Sequence, residues 1–503
     1  MRGAAYIAVW VFVMAIPLDR MFLHDLFGID VPITVTQVVG VFTLVTAITA
    51  TLFEARLRRF DRSHLYIYLF IIWACLSCLW SQDPETALGR ALTYVQLGIL
   101  VWMMTQYGQT RQEQRGLMLA YVCGSLFVAI QLLIGYALGG TAFSVEIFPG
   151  RFTSMGYNPN DLALTLALGI PFAWYCFVAM RGVGAVIGLF YIPAALAGIL
   201  LSASRGGAFA GIVAMMLIPL GFTRMTHFRK LAVAGALIIA VAAAAVTVPE
   251  RSWERLMTID DATSTRWTMT DLNNLELTNI RVAIWKEGLD QFKESPIVGI
   301  GAGGYLNVVD PVEGERRVAH NIFLSILVEL GLVGVVLFVV MMVVLLASTR
   351  FLPPSERLTW IIVLGTYLVG GLFLSWEHTK QTWMIVGLLA ARIAVVRGPR
   401  VPKRRELPDE TREVIARHME RQSWEKARKS VIDALAGGDV SDDDTIETFF
   451  ERLSEMNDEW PDAESVAVYF EDRLPHLPPS IVEWRELADE WSEKLRRLVV
   501  SDF

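Results

Sequence analysis

Cysteine and charge are both scarce in this chain. Only four of its 503 residues are cysteine, and 19% are charged. Cys75, Cys78, Cys123 and Cys176 all sit inside apolar runs. That excludes a secreted scaffold built on disulfides and leaves zinc without a ligand cluster. Cys75 and Cys78 have CxxC spacing, but their neighbours read as membrane helix, so a buried structural role is expected. What fills the chain instead is apolar: the AVILMFWYC set makes up 54%, and mean hydropathy is +0.45. Counting Gly in place of Tyr gives about 59%, against ~45–50% for soluble domains. Disorder and collagen are excluded, and an all-α polytopic membrane protein is the class that remains.

The formal charge of −7 conceals a division. Residues 1–405 carry a net +7, and residues 406–503 carry a net −14. A basic membrane body at 1–396 is therefore expected to continue into an acidic tail at 397–503. Helical patterning over 409–436, 442–457, 463–473 and 480–499 predicts a small cytoplasmic bundle there. Nothing in the tail looks catalytic, and no nucleic-acid partner is expected.

A membrane span needs ~20 mostly apolar residues. Twelve candidates lie at 4–18, 32–53, 65–80, 88–107, 116–138, 162–180, 184–201, 206–222, 231–248, 322–347, 358–375 and 382–396. The first is expected to stay uncleaved, because Met14-Ala15-Ile16-Pro17 is a poor signal-peptidase site. Every second loop is the basic one, through Arg56 to Arg62, Arg111 and Arg115, Arg181, Arg224 to Lys230, Arg350 and Arg357, and Arg397 to Arg405. The positive-inside rule then puts both termini in the cytoplasm. One large external loop remains, at 249–321, with an amphipathic helix expected over 281–292.

Polar residues beside the bilayer are the functional pointers, since they are costly to hold there. Arg151 precedes Asn158-Pro159-Asn160-Asp161, where Asn160 or Asp161 has a helix cap as its structural alternative. Ser202-Ala203-Ser204-Arg205-Gly206-Gly207 is a tight turn whose Arg either binds an oxyanion or snorkels. Asn279-Ile280-Arg281 leads to Trp285, Pro296 and the string Gly299-Ile300-Gly301-Ala302-Gly303-Gly304. That string matches GxGxxG but follows no strand, which argues against a dinucleotide site and leaves close packing or a phosphate-binding turn. Arg316-Arg317-Val318-Ala319-His320-Asn321 opens the tenth span, with a His able to exchange a proton near neutral pH. Glu377-His378-Thr379-Lys380 is a further polar connector.

In order and spacing these segments resemble the O-antigen ligase and O-antigen polymerase superfamily of bacterial envelope glycosyltransferases. The resemblance spans about 81–343 and includes Trp80-Ser81-Gln82-Asp83-Pro84 with Arg90, and Glu329-Leu330-Gly331-Leu332-Val333-Gly334. The acidic tail departs from the family's usual short C-terminus, and its expected cytoplasmic position makes other polysaccharide-assembly proteins its candidate partners. The resemblance implies a GT-C-like fold in the bacterial inner membrane. It also implies an undecaprenyl-diphosphate-linked glycan as donor, a glycan or lipid acceptor, membrane lipids as surroundings, and periplasmic transfer without a metal or cofactor. His320, Arg281 and Arg205 are the expected catalytic residues, and Arg151, Arg90, Asn160, Asn321 and Arg317 the expected substrate-binding ones. Ligase, polymerase and protein O-oligosaccharyltransferase all fit at this level. A multi-span transporter or flippase of lipid-linked glycans is the alternative from another class, and an anchor for the tail is a third.

Overall fold

The computed structural model describes residues 2–22, 33–54, 57–58, 60–108, 110–141, 144–148, 150–216, 248–257, 272–307 and 318–397, plus positions 227, 230, 231 and 235. The tail, Arg317 and most of the ninth expected span lie outside the described residues, as do residues 217–222 of the eighth. The chain divides into two compact units, Met1–Gly398 and Pro399–Phe503.

Caps and prolines set where the helices of the first unit begin. After α1 (Arg2–Ala15), α2 (Val35–Glu54) and α3 (Arg62–Leu76), Asp83 caps α4 (Pro84–Tyr107), with Pro84 in the first turn. Thr110 and Glu113 form a capping box for α5 (Arg111–Ala137). An antiparallel hairpin follows, β1 (Ser144–Phe148) with β2 (Arg151–Ser154). Asn158 and Pro159 start α6 (Pro159–Ala179), and α7 (Val183–Ser202) turns into α8 (Arg205–Met215) under a Ser204 cap. Next come α9 (Glu250–Met257), α10 (Leu272–Glu294), α11 (Ile322–Ser348), α12 (Pro354–Gly371) and α13 (Lys380–Arg397).

Seven helical segments among the described residues are long and apolar enough to cross a bilayer: 35–53, 62–79, 84–107, 111–137, 159–179, 183–202 and 322–351. The protein is an all-α multi-pass membrane protein. α6 lies at its centre, packed on α5, α7, α8 and α12, and Leu162 through Ile170 are all buried. One difference from expectation is α10, which begins at Leu272 rather than near residue 281. Its first turns lack apolar periodicity but are made of Leu, Asn and Glu, including the strong helix formers Leu272, Leu275 and Glu276.

Alternate loops meet at opposite ends of the bundle. At one end Arg2 bonds Glu113 at 2.6 Å, and Arg397 bonds Asp61 at 2.8 Å. Nearby, Glu356 of α12 accepts Arg111 Nε at 2.7 Å and Arg392 Nε at 2.9 Å, with the Tyr175 hydroxyl at 3.3 Å. At the other end lie the turn at 202–205, the start of α6, the start of α11 and the α12–α13 connection. Those four segments carry most of the polar residues singled out above.

Candidate active site

Arg151 is the anchor of this end. As the first residue of β2 it is only 4% exposed, and its Nε donates to the Ser202 carbonyl at 3.2 Å. Its Nη2 donates to Asn160 Oδ1 at 3.0 Å, and the same oxygen accepts the Ser204 hydroxyl at 2.8 Å. Asn160 thus ties the hairpin to the α7–α8 turn. That turn is made possible by Ala203 in the left-handed region, φ 48°. Arg205 follows as the first residue of α8, and Gly206 lets the helix press against Phe373, where any Cβ would collide.

A third element closes on the hairpin. The buried Ser252 of α9 donates to the Gly150 carbonyl at 2.7 Å, which brings Arg255, one turn later, to the same place. Arg281 of α10 completes the group. Burial and the charges of Arg255, Arg281 and Arg205 push the Arg151 guanidinium down to about 9. Burial also pushes Arg281 down, with Arg205 and Arg255 adding to it. Four arginines therefore act on one another here, an arrangement that a bound polyanion would stabilise. Arg151, Arg205 and Arg281 were expected from the sequence; Arg255 was not.

His320 is held between two anchored neighbours. Trp285, one helical turn after Arg281, donates its indole N–H to the Ala319 carbonyl at 2.7 Å. On the other side Asn321 caps α11, its Oδ1 accepting the Phe323 and Leu324 N–H groups, while its Nδ2 donates to the Leu372 carbonyl at 3.3 Å. His320 itself has φ 49° and is half-buried. The Asn321 carboxamide is thus taken up by capping and anchoring.

Arg90 falls elsewhere. It acts on the buried carboxylate of Glu377 and lies against Gly303. The glycine string packs on a break in α11, where Gly331 has φ 68° and ψ −169°. Glu329 spends its carboxylate on this string, accepting Gly303 N–H at 2.8 Å and Tyr305 N–H at 3.3 Å. Ser77 Oγ accepts Ala302 N–H at 2.9 Å, and the Trp80 indole reaches the Val298 carbonyl at 3.3 Å. Of the two alternatives left open, the string fits close packing, since its donors serve an internal carboxylate.

Comparison with known proteins bears on this end of the bundle. Residues 188–339 match the O-antigen ligase family. The matched stretch includes Arg205, Arg255, Arg281, His320 and Glu329, and leaves out Arg90, Arg151, Glu377 and His378. The chain is also 25% identical over 315 residues to the exopolysaccharide production protein ExoQ of Rhizobium meliloti (strain 1021). That alignment covers 59% of this chain and 66% of the relative, just under two thirds of its length. Together these findings support a likeness to the O-antigen ligase and polymerase superfamily.

Proposed function

We propose that this protein is a glycosyltransferase of the bacterial inner membrane. It moves a glycan from undecaprenyl diphosphate to an acceptor hydroxyl at the periplasmic face, with both termini in the cytoplasm. The observation that carries the proposal is the group of Arg151, Arg205, Arg255 and Arg281, with Trp285, one turn after Arg281, bonded to the Ala319 carbonyl next to His320 in sequence. A lipid diphosphate gains negative charge as its glycosyl bond breaks, and preorganised cations in a site of low dielectric stabilise that charge most where it develops. Arginine's planar fork suits phosphate oxygens better than a point charge does. The attacking hydroxyl must lose a proton, and His320 serves as base or relay for it. No metal enters the scheme. The relative's name, an exopolysaccharide production protein, favours an exopolysaccharide product.

Purified full-length protein given lipid-diphosphate glycan and a glycan acceptor should release undecaprenyl diphosphate. Movement of intact donor without release indicates a flippase and would overturn the proposal. Gene deletion separates the two transferase outcomes. Loss of all surface attachment indicates a ligase, and a product of single repeats indicates a polymerase. His320→Asn is a cleaner probe than His320→Ala, because Asn tolerates the left-handed backbone found at this position. It should abolish transfer while leaving the protein folded and inserted.

A further inference from the structure

Tyr305 lies at the end of the glycine string and bridges two helices. Its N–H donates to Glu329 Oε1 of α11 at 3.3 Å, and its hydroxyl donates to the Ile284 carbonyl of α10 at 3.0 Å. The string itself is fastened to α11. Ile300 N–H donates to the Val328 carbonyl at 3.0 Å, and Gly301 N–H to the Glu329 carbonyl at 2.9 Å. Tyr305 is 1% exposed and belongs to a small apolar cluster with Ile284, Ile300, Ala319 and Val328, set apart from the main core. A buried tyrosine hydroxyl ordinarily finds a partner, so packing alone is the plain reading of this contact.

The matching face of α10 is shaped to receive it. Arg281, Ile284, Gly288 and Phe292 are spaced by three, four and four residues, which puts them on one face of the helix. Ile284 is buried in the small cluster and Phe292 packs against it, so this face is turned to the string and α11. Gly288 leaves the gap in which the Tyr305 hydroxyl sits, because a Cβ there would collide with Tyr305 Oη and Cζ. Glycine is costly in a helix interior, and alanine would be the better helix former were that space open. The hydroxyl is therefore seated between the Ile284 carbonyl and the notch at Gly288, where it resists sliding of α10 along its axis. Such a tie has something to oppose. Arg205 and Arg255 repel Arg281, which stands three residues before Ile284 on this same face. A slip of one turn would carry Arg281 by ~5.4 Å, and a misplacement of only ~1 Å is enough to impair a catalytic site.

We propose that Tyr305 is a positioning residue: seated in the Gly288 notch, it sets the axial register of α10 and so holds Arg281 where it meets the donor diphosphate. This rests on the glycosyl-transfer reading above. Tyr305 acts only through α10. The Trp285 bond to the Ala319 carbonyl ties the next turn to the residue before His320, so the register that places Arg281 is shared with that segment.

The test is a double-mutant cycle on undecaprenyl diphosphate binding by purified full-length protein. Tyr305→Phe keeps the ring in its cluster and removes only the hydroxyl, while the Ile284 carbonyl retains its place in the α10 ladder. We expect affinity to fall about tenfold in the wild-type background and by less than about twofold once Arg281 is replaced by alanine, since residues that act through one another are not additive. Gly288→Ala favours the helix but obstructs the hydroxyl, and its loss should depend on Arg281 in the same way. Melting temperature identifies any variant that has merely misfolded. A purely structural role predicts equal losses in the two backgrounds, with melting temperature falling in step. That result, or wild-type affinity in Tyr305→Phe, would overturn the proposal. If wild type binds no undecaprenyl diphosphate, the transfer reading falls and takes this one with it. Binding that weakens in Arg281→Ala but not in Tyr305→Phe removes the positioning role alone.

Discussion

The two ends of the bundle use arginine in opposite ways. At one end Arg111 and Arg392 converge on the single carboxylate of Glu356, and all three are buried. At the other, Arg151, Arg205, Arg255 and Arg281 act on one another, and the charges weighing on Arg151 all come from arginine. A buried cation matched by an internal anion holds helices together. Cations gathered against cations raise the energy of the empty site and lower it when an anion arrives. The same residue type thus serves architecture at one end and binding at the other, and its neighbours decide which.

The largest expected effect is on the binding side. Arg281→Ala or Arg205→Ala should cut glycan transfer by roughly 100-fold or more, the usual scale for removing one donor to a developing negative charge. For Arg281→Ala melting temperature should hold or rise, since a charge that repels Arg205 and Arg255 is lost. The reverse pattern is expected of Glu356→Ala, which removes the buried carboxylate that Arg111 and Arg392 share. Breaking a buried pair in this way costs about 3–5 kcal/mol, seen as lower melting temperature and yield before any effect specific to the donor.

Arg151→Lys should be intermediate. It retains the charge but cannot bond Ser202 and Asn160 at once, so donor KM should rise by about tenfold, close to 1.4 kcal/mol. Inorganic pyrophosphate should raise the melting temperature of wild type and leave Arg205→Ala/Arg281→Ala unmoved, because a ligand stabilises only the state that binds it.

The smallest effect concerns acid. Burial opposes the charged form of Glu377, but His378 and Arg90 outweigh it and hold the carboxyl below the ordinary glutamate range. A lowered folded-state value contributes stability that is fully present above the unfolded value, ~4.3, and is lost as pH falls through the lower folded one. Thermal melting below that pH should therefore decline less steeply in Glu377→Gln than in wild type.

Much of this was legible in the residues. Hydropathy located the helices because bilayer thickness fixes their length, as with 322–347 against the observed Ile322–Ser348. Arg205 and Arg281 stood out as cations beside apolar runs, and Asn160 as a polar residue at a helix start. Arg255 gave no such signal. It lies in a short helix, Glu250–Met257, with an ordinary alternation of charge, and only the Ser252 bond to Gly150 brings it to the site. Glu329 entered only as part of the motif Glu329–Gly334, because its partner Gly303 lies 26 residues earlier, beyond any local pattern. The hairpin escaped for a similar reason: its strands have five and four residues, and its position depends on the α7–α8 turn.

Binding of undecaprenyl diphosphate to purified wild type and to Arg205→Ala/Arg281→Ala, with melting temperature followed on the same samples, tests the central claim most directly. The account predicts that affinity falls at least about 100-fold in the double variant, some 2.7 kcal/mol, while melting temperature is retained. Equal affinity in the two proteins, or a loss of affinity matched by a loss of folding, would contradict it.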